Sequence, residues 1–211
     1  GPTRLGRGNR VFQFASLGDD PQDKKYAGEE TRLEIGDHNT IREFVTINRG
    51  TAQDQGVTRV GSHNWIMTYV HIAHDCVVGD HVIFSNNATL AGHVRVDDHV
   101  ICSGFSAIHQ FCHIGAHSFL GGFAAVTRDV PPYLMVAGQP TAPHGINSEG
   151  LKRRGFTPEQ IRNLKDAYRI LYREGLPLAE ARDRLAGLAE SQPELAPLVA
   201  FIDRSERSII R

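Results

Sequence analysis

Apolar residues recur at every sixth position over residues 60–131. The first residue of each hexad is Val60, Ile66, Ile72, Val78, Phe84, Leu90, Val96, Cys102, Ile108, Ile114, Leu120 and Val126. The fifth residues, from Asn64, Val70 and Cys76 through to Ala124 and Val130, are all small or medium in size. Neither a heptad nor a two-residue alternation produces this pattern. A period of six predicts a parallel β-helix. Three hexads, or 18 residues, close one triangular coil, and coils stack at the inter-strand spacing of about 4.8 Å. First and fifth residues point inward, with the large aliphatic at mid-face and the small residue near the corner.

The same register is present upstream, starting at Leu5, Val11 and Leu17 and again at Ile35, Ile41 and Ile47. Because the chain enters a hexad directly after Gly1-Pro2, further coils are expected to precede it. The pattern lapses over residues 18–34 and 49–59, both polar and turn-rich, which predicts two loops thrown out from the prism. Inserts in a solenoid gather on one side and often form its binding face. Pro131-Pro132 is expected to stop the ladder, since proline donates no hydrogen bond, and residues 133–150 read as a linker.

The remainder is helical in pattern. Thr157-Pro158-Glu159-Gln160 is a capping-box start, and the helix it opens should run to about Glu174, before Gly175. Two more amphipathic helices are expected near residues 178–189 and 193–210. The organisation predicted is a β-helix with two external loops over residues 1–140 and a helical C-terminal domain over residues 141–211, packed on the prism or on a neighbour.

The net charge of −1 over 211 residues provides no basic field for nucleic acid. No apolar run is long enough to span a bilayer, and no signal peptide is visible. Cys76, Cys102 and Cys112 all fall at inward positions of the register, which reads as buried thiols in a reducing compartment, not as a disulfide framework or a zinc site.

The register also sorts the 11 histidines. His63, His81, His99 and His117 recur every 18 residues as the fourth of their hexads, with His38 at the same hexad position, and read as a corner ladder. Others break this period. The hexads beginning at Ile72, Leu90 and Ile108 should stack on one face. His74, His93 and His109 are placed on that face, His71 at the corner leading into it, and Asp75 beside His74. His113 and His144 have no such grouping. A neutral histidine in a cleft can act as a general base near pH 7, and three histidines on adjacent strands could instead hold zinc. A purely structural or interaction β-helix is a third reading, although it leaves the irregular histidines and the two inserts unexplained.

Several blocks of sequence are more specific. HIAHDC (71–76), NNATLAGHV (86–94), AIHQFCHIGAH (107–117), DVPPY (129–133) and GLKRRGF (150–156) resemble the UDP-N-acetylglucosamine O-acyltransferases of lipid A biosynthesis, as do QDKKYAGEETR (22–32) and IREFVTINRGT (41–51). The resemblance spans nearly the whole chain. It implies a left-handed parallel β-helix with a C-terminal α-helical domain, and a cytoplasmic homotrimer with active sites between subunits. The implied reaction passes an (R)-3-hydroxyacyl chain from acyl carrier protein to the 3-hydroxyl of UDP-N-acetylglucosamine, with no metal, no cofactor and no covalent acyl-enzyme. By motif, His74 would be the general base, Asp75 would orient or tune it, and the Gly92 N–H would stabilise the oxyanion. His71, His93, His109 and Gln110 match substrate-binding positions. Asp23 and Lys25 match nucleotide-sugar and acyl-chain contacts, and Asn147, Glu149, Arg153 and Arg154 match the nucleotide end. Gly122 matches the position that measures acyl length.

Two relatives of the same fold are the alternatives. One is the N-acyltransferase later in the same pathway, against which GLKRRGF and the helical tail argue. The other is a γ-type zinc hydratase, whose ligand set has two histidines five residues apart. No histidine pair on the face in question has that spacing, His71 and His74 being three apart.

Overall fold

The computed structural model describes residues 1–211 and places the hexads on three parallel sheets that form the faces of a triangular prism. In each regular hexad the sixth and first residues form the strand, as in Trp65–Ile66, His71–Ile72 and Val77–Val78, which belong to three different sheets. The first sheet holds Val60, Val78, Val96 and Ile114, the second Ile66, Phe84, Cys102 and Leu120, and the third Ile72, Leu90, Ile108 and Val126. Each rung pairs with the residue 18 positions on, for example Ile72 with Leu90 and Leu90 with Ile108. The prism is a left-handed parallel β-helix.

From His63 to Phe123 every corner is turned by the fourth residue of a hexad, which adopts a left-handed backbone: φ is 59° at His63, 62° at Tyr69 and 59° at Asp75. A side chain in that conformation costs about 1–2 kcal/mol. The buried first residue of each hexad contributes roughly 1.5–3 kcal/mol, enough to offset that cost, and first and fifth residues from all three sheets form one continuous core of 29 buried residues. Because strands occupy the sixth and first positions, His71 lies on the third sheet, not at a corner. His74 and His93 lie in the turn that leaves this sheet, not on its face. The flat part of each hexad spans the inward residues, and the turn falls two residues after the strand.

The three corners differ in chemistry. At the first-to-second corner, His38, His63, His81, His99 and His117 stack with ring centroids 4.8–5.3 Å apart. The second-to-third corner carries Phe14, Phe44 and Tyr69, then Asn87, then Phe105 and Phe123, the aromatic rings all exposed. The third-to-first corner carries His74–Asp75, Gly92–His93 and Gln110–Phe111.

Both inserts leave from that third-to-first corner. The first joins Ser16–Asp19 of the third sheet to Arg32–Ile35 of the first, and the second joins Thr46–Asn48 to Val57–Val60. They are shorter than the lapse in pattern suggests, because the residues at their edges already pair in the sheets. Arg49 ties them together: it pairs with Asp20, meets the Tyr26 hydroxyl and donates to the Gly18 carbonyl at 3.2 Å.

Pro131-Pro132 does not stop the ladder. Both prolines sit at the turn, where no strand N–H is required, and Leu134–Ala137 resumes pairing with Phe119–Leu120 in the second sheet. Ala142–Ile146 then turns back antiparallel against it, so the expected linker contains two strands and the start of a short helix, α1 (Ser148–Arg153). Helix α2 (Pro158–Tyr172) has the full capping box at Thr157 and Gln160. It packs with α3 (Leu178–Ala189) and α4 (Ala196–Arg204) around a second core that includes Leu151, Leu164, Leu185 and Phe201. Helix α4 ends at Arg204, short of residue 210. The tail runs extended and pairs back onto the prism, with Asp129 N–H donating to Ser208 O and Ile210 N–H to Asp129 O. The three cysteines are free and buried.

The histidine column has a consequence for stability. Burial, then the charges of His99 and Arg154, push His117 down to about 4, whereas a histidine in the unfolded chain takes up its proton near 6.5. Between those values the unfolded chain binds more protons, so stability present above about pH 6.5 is lost as the pH falls toward 4. The thermal midpoint should fall across this window, and less steeply in His117→Phe. Parallel wild-type and variant curves would rule out His117 as the source.

Candidate active site

At the third-to-first corner three successive coils bring His74–Asp75, Gly92–His93 and Gln110–Phe111 one above another. His71 stands on the strand that leads into this corner and His109 directly follows the strand Ala107–Ile108 of the same face. Asp75 anchors the group. Its carboxylate, 1% exposed, accepts from the Thr51 N–H at 2.9 and 3.1 Å and from the Thr51 hydroxyl at 2.6 Å. Its own N–H donates to Thr58 Oγ1 at 2.8 Å. Burial pushes the Asp75 carboxyl up, but hydrogen bonds from His74 and Thr51 outweigh this and hold it below the usual carboxylate range.

The charge thus fixed selects the tautomer of His74. Its Nδ1 lies 2.9 Å from Asp75 Oδ2 and faces an oxygen that can only accept, so Nδ1 carries the proton and Nε2 keeps a lone pair. Nε2 has no partner in the chain. The ring edge bearing it lies directly over Gly92, where an added Cβ would come within 2.6 Å of His74 Cε1 and 2.7 Å of Nε2. Glycine at this position makes room for the imidazole. The Gly92 N–H donates to no acceptor in the chain, whereas third-residue amides at the histidine corner are capped, Ser62 N–H by Asp80 and Asp80 N–H by Asp98.

The remaining histidines are fixed around this pair. His93 crosses His74 edge-on at 5.0 Å, stacks on Phe111 at 4.4 Å, and binds Asp54 of the second insert through Nδ1 at 2.8 Å. His71 Nδ1 meets the Thr46 hydroxyl at 2.7 Å, and burial, followed by the nearby His74, holds His71 below the ordinary histidine range. His109 and Gln110 are exposed, with His109 Nδ1 3.2 Å from the Gln110 carbonyl. A groove of about 600 Å³ opens beside His93 and Asp54 and runs to Arg204 and Ser205. His74, Asp75 and His93 also offer ligand atoms within 4.8 Å of one another, yet both imidazole Nδ1 atoms already face carboxylates and Asp75 is occupied by Thr51.

The other residues singled out in the sequence lie elsewhere in the chain. Asp23 and Lys25 are in the first insert, where the Lys25 N–H donates to Asp23 Oδ1 at 3.0 Å, and this insert leaves from the His74 corner. Asn147, Glu149, Arg153 and Arg154 belong to α1 and its caps, held against the histidine corner through Asn147 Nδ2 to His117 O at 2.9 Å. Gly122 is at the aromatic corner. One chain therefore gathers His71, His74, Asp75, Gly92, His93, His109 and Gln110, carries Asp23 and Lys25 on the insert that leaves from the same corner, and places Asn147, Glu149, Arg153, Arg154 and Gly122 on the other two corners. His113, ungrouped in sequence, pairs with Asp97 at 2.8 Å. Thr58 and Asp54 carry no motif, and Thr46 and Thr51 lie in the IREFVTINRGT block without being singled out in it. Their signal is topological, since the second insert interrupts its hexad at the corner that the His74 hexad turns one coil later.

A hexapeptide prism with an acid-oriented histidine and an unpaired amide in one corner defines the class of β-helical transferases. Residues 58–92 match the bacterial transferase hexapeptide model, and residues 129–210 match the second domain of UDP-N-acetylglucosamine O-acyltransferase. The acyl-[acyl-carrier-protein]–UDP-N-acetylglucosamine O-acyltransferase of Thiobacillus denitrificans is 61% identical over 203 residues, 96% of this chain and 79% of that protein. The Halorhodospira halophila protein of the same name is 55% identical over all of this chain and 82% of its own. The solved UDP-N-acetylglucosamine acyltransferase of Francisella novicida superposes with a TM-score of 0.95 at 49% identity, covering 97% of this chain and 75% of that one. The chain belongs to the UDP-N-acetylglucosamine O-acyltransferase family and is an acyl-transferring enzyme. No helix in it is long and apolar enough to cross a membrane.

The packing of His74 on Gly92 gives a direct test. Gly92→Ala should displace the imidazole and lower the acyl-transfer rate by about 10²-fold, the loss that follows a misplacement of about 1 Å. The circular-dichroism spectrum should not change, because Gly92 does not use a left-handed backbone. A rate within twofold of wild type would show that this contact does not matter.

Proposed function

We propose that the protein transfers an (R)-3-hydroxyacyl chain from acyl carrier protein to the 3-hydroxyl of UDP-N-acetylglucosamine, the first step of lipid A biosynthesis, with His74 as general base. The observation that carries this reading is the pair of unpartnered groups at one corner: His74 Nε2, with its opposite nitrogen held by Asp75 at 2.9 Å, and the Gly92 N–H beside it. His74 Nε2 takes the proton of the sugar hydroxyl as that oxygen attacks the thioester carbonyl. The Gly92 N–H donates to the oxyanion that forms, and Asp75 stabilises the imidazolium. Collapse of the tetrahedral intermediate breaks the carbon–sulfur bond, and Nε2–H returns the proton to the departing phosphopantetheine thiolate. The scheme needs no metal, no cofactor and no covalent acyl-enzyme.

His71, His93, His109 and Gln110 line the approach to His74, and Asp23 and Lys25 reach it from the first insert. The family's nucleotide and acyl-length positions sit on the other two corners: Asn147, Glu149, Arg153 and Arg154 on one, Gly122 on the other. A homotrimer with clefts between prisms brings the corners of adjacent copies together and accounts for that distribution. Assembly in the cytoplasm, where both substrates are soluble, fits the same scheme.

Three measurements test this reading. His74→Ala should lose about 10²–10⁴-fold in turnover while keeping its fold; near-normal turnover would remove His74 from the role. Gly122→Met should shift preference toward shorter acyl donors. The first carbon added at Gly122 would meet only Gly104 O, at an ordinary 3.5 Å, so the change tests groove length and not folding, and an unchanged donor series would sink the assignment. Acceptor choice separates the pathway's two acyltransferases, with UDP-N-acetylglucosamine acylated here and 3-O-acylated glucosamine left untouched. Stoichiometric zinc together with chelator-sensitive turnover would favour the hydratase instead.

A further inference from the structure

We propose that His99 is a positioning residue for the acceptor's nucleotide, its Nδ1 lone pair holding the Arg154 guanidinium toward a diphosphate without neutralising it. This rests on the reading above that the basic end of α1 takes the nucleotide. In the run Lys152-Arg153-Arg154 only Lys152 forms an ion pair, with Glu149 at 2.6 Å. Arg154 is the C-cap of α1 and is half-buried. Its Nη1 donates to His99 Nδ1. A carboxylate in that place would compete with phosphate for the guanidinium. A neutral imidazole fixes its direction and leaves the full positive charge for the ligand.

The column makes His99 a rigid acceptor. His81 and His117 sandwich its ring at 4.9 and 4.8 Å, with planes within 16° and 22°, and its N–H donates to the Asp80 carbonyl at 2.9 Å. His117, the next rung, receives Asn147 on its carbonyl and Phe156 edge-on at 5.2 Å. The two last histidines of a periodic ladder therefore seat the helix whose ends carry Asn147 and Arg154.

The contact requires an unprotonated Nδ1. The charged and titratable groups facing His99 are Arg154, His81, His117, Asp98 and Asp80. Burial, then Arg154 and His81, hold the ring below the ordinary histidine range, and the two aspartates oppose them. Near neutral pH the ring accepts. As the pH falls through its folded pKa, Nδ1 gains a proton and repels the guanidinium.

The test measures KM for UDP-N-acetylglucosamine and kcat against pH in the full-length enzyme. His99→Phe keeps an aromatic ring at a corner geometry that Phe105 already adopts at φ 59°, but removes the acceptor. Its KM should rise about tenfold to a hundredfold, the range for one hydrogen bond to a charged group, with kcat unchanged. His99→Asn places an oxygen on Cγ where Nδ1 stood, in a conformation that Asn87 adopts at φ 63°. It should restore KM near pH 7.5 and abolish the rise in KM that wild type shows toward acid pH. His63→Phe, a column residue that does not touch α1, should match wild type. Arg154→Ala should raise KM at least as much as His99→Phe and erase the difference between the two His99 variants. An Arg154→Ala enzyme with normal KM would overturn the nucleotide reading and this inference together. A raised KM in Arg154→Ala beside a normal KM in His99→Phe would overturn the inference alone, as would equal acid dependence in wild type and His99→Asn.

Discussion

The backbone ladder from coil to coil is the interaction on which the rest depends. Each strand of the regular run contributes only two residues, as at His71–Ile72, far too short to persist alone. Stacking makes it stable, because every rung is hydrogen-bonded above and below at a fixed offset of 18 residues. That offset is a strict positional rule. It places Gly92 under His74 and Gln110 in the next coil, and sets the distance between neighbours at this corner by sheet spacing and not by loop conformation. The geometry a general base needs is then as rigid as the core itself.

The corners show how one backbone solution serves three chemistries. All use a left-handed fourth residue, and the ladder stacks rings of successive coils 4.4–5.3 Å apart on each. What differs is the third residue. At the histidine corner a serine or aspartate of the next coil caps the amides of Asp37, Ser62 and Asp80. At the His74 corner no such cap exists, and the amide of Gly92 stays free. What marks the site is the missing side chain of Gly92, which lets the His74 imidazole lie against that free amide.

The prism was legible in the sequence because inward residues obey a period set by backbone geometry alone. Ile72, Leu90 and Ile108 stack as their spacing requires. The grouping of His71, His74, Asp75, His93 and His109 was legible for the same reason, although their places were interchanged: spacing alone did not reveal that the turn follows the strand by two residues. Sequence could not show Thr51 beneath Asp75 or Asp54 on His93, since the insert that carries them has no period. It also missed the two strands after Pro131-Pro132, where a breaker signal marked a turn and not an end. The division between periodic, structural histidines and irregular, functional ones was too sharp. His93 occupies the same hexad position as the column, and His99 and His117 of the column hold α1.

Both inserts leave the prism at one corner, and neither alters the phase of the coils that follow: Leu5 pairs with Ile35 across the first and Ile35 with Val60 across the second. Length added there is invisible to the hydrophobic interior. The fold therefore separates two kinds of change that most enzymes must make together. Residues inside the triangle answer only to volume, while the loops over His74 can be lengthened, shortened or exchanged with no rearrangement of the strands beneath. Such an edge works as a socket, in which recognition of new acceptors can be tried in the first insert while the second, which brings Thr51 to Asp75 and Asp54 to His93, keeps the His74–Asp75 pair in register.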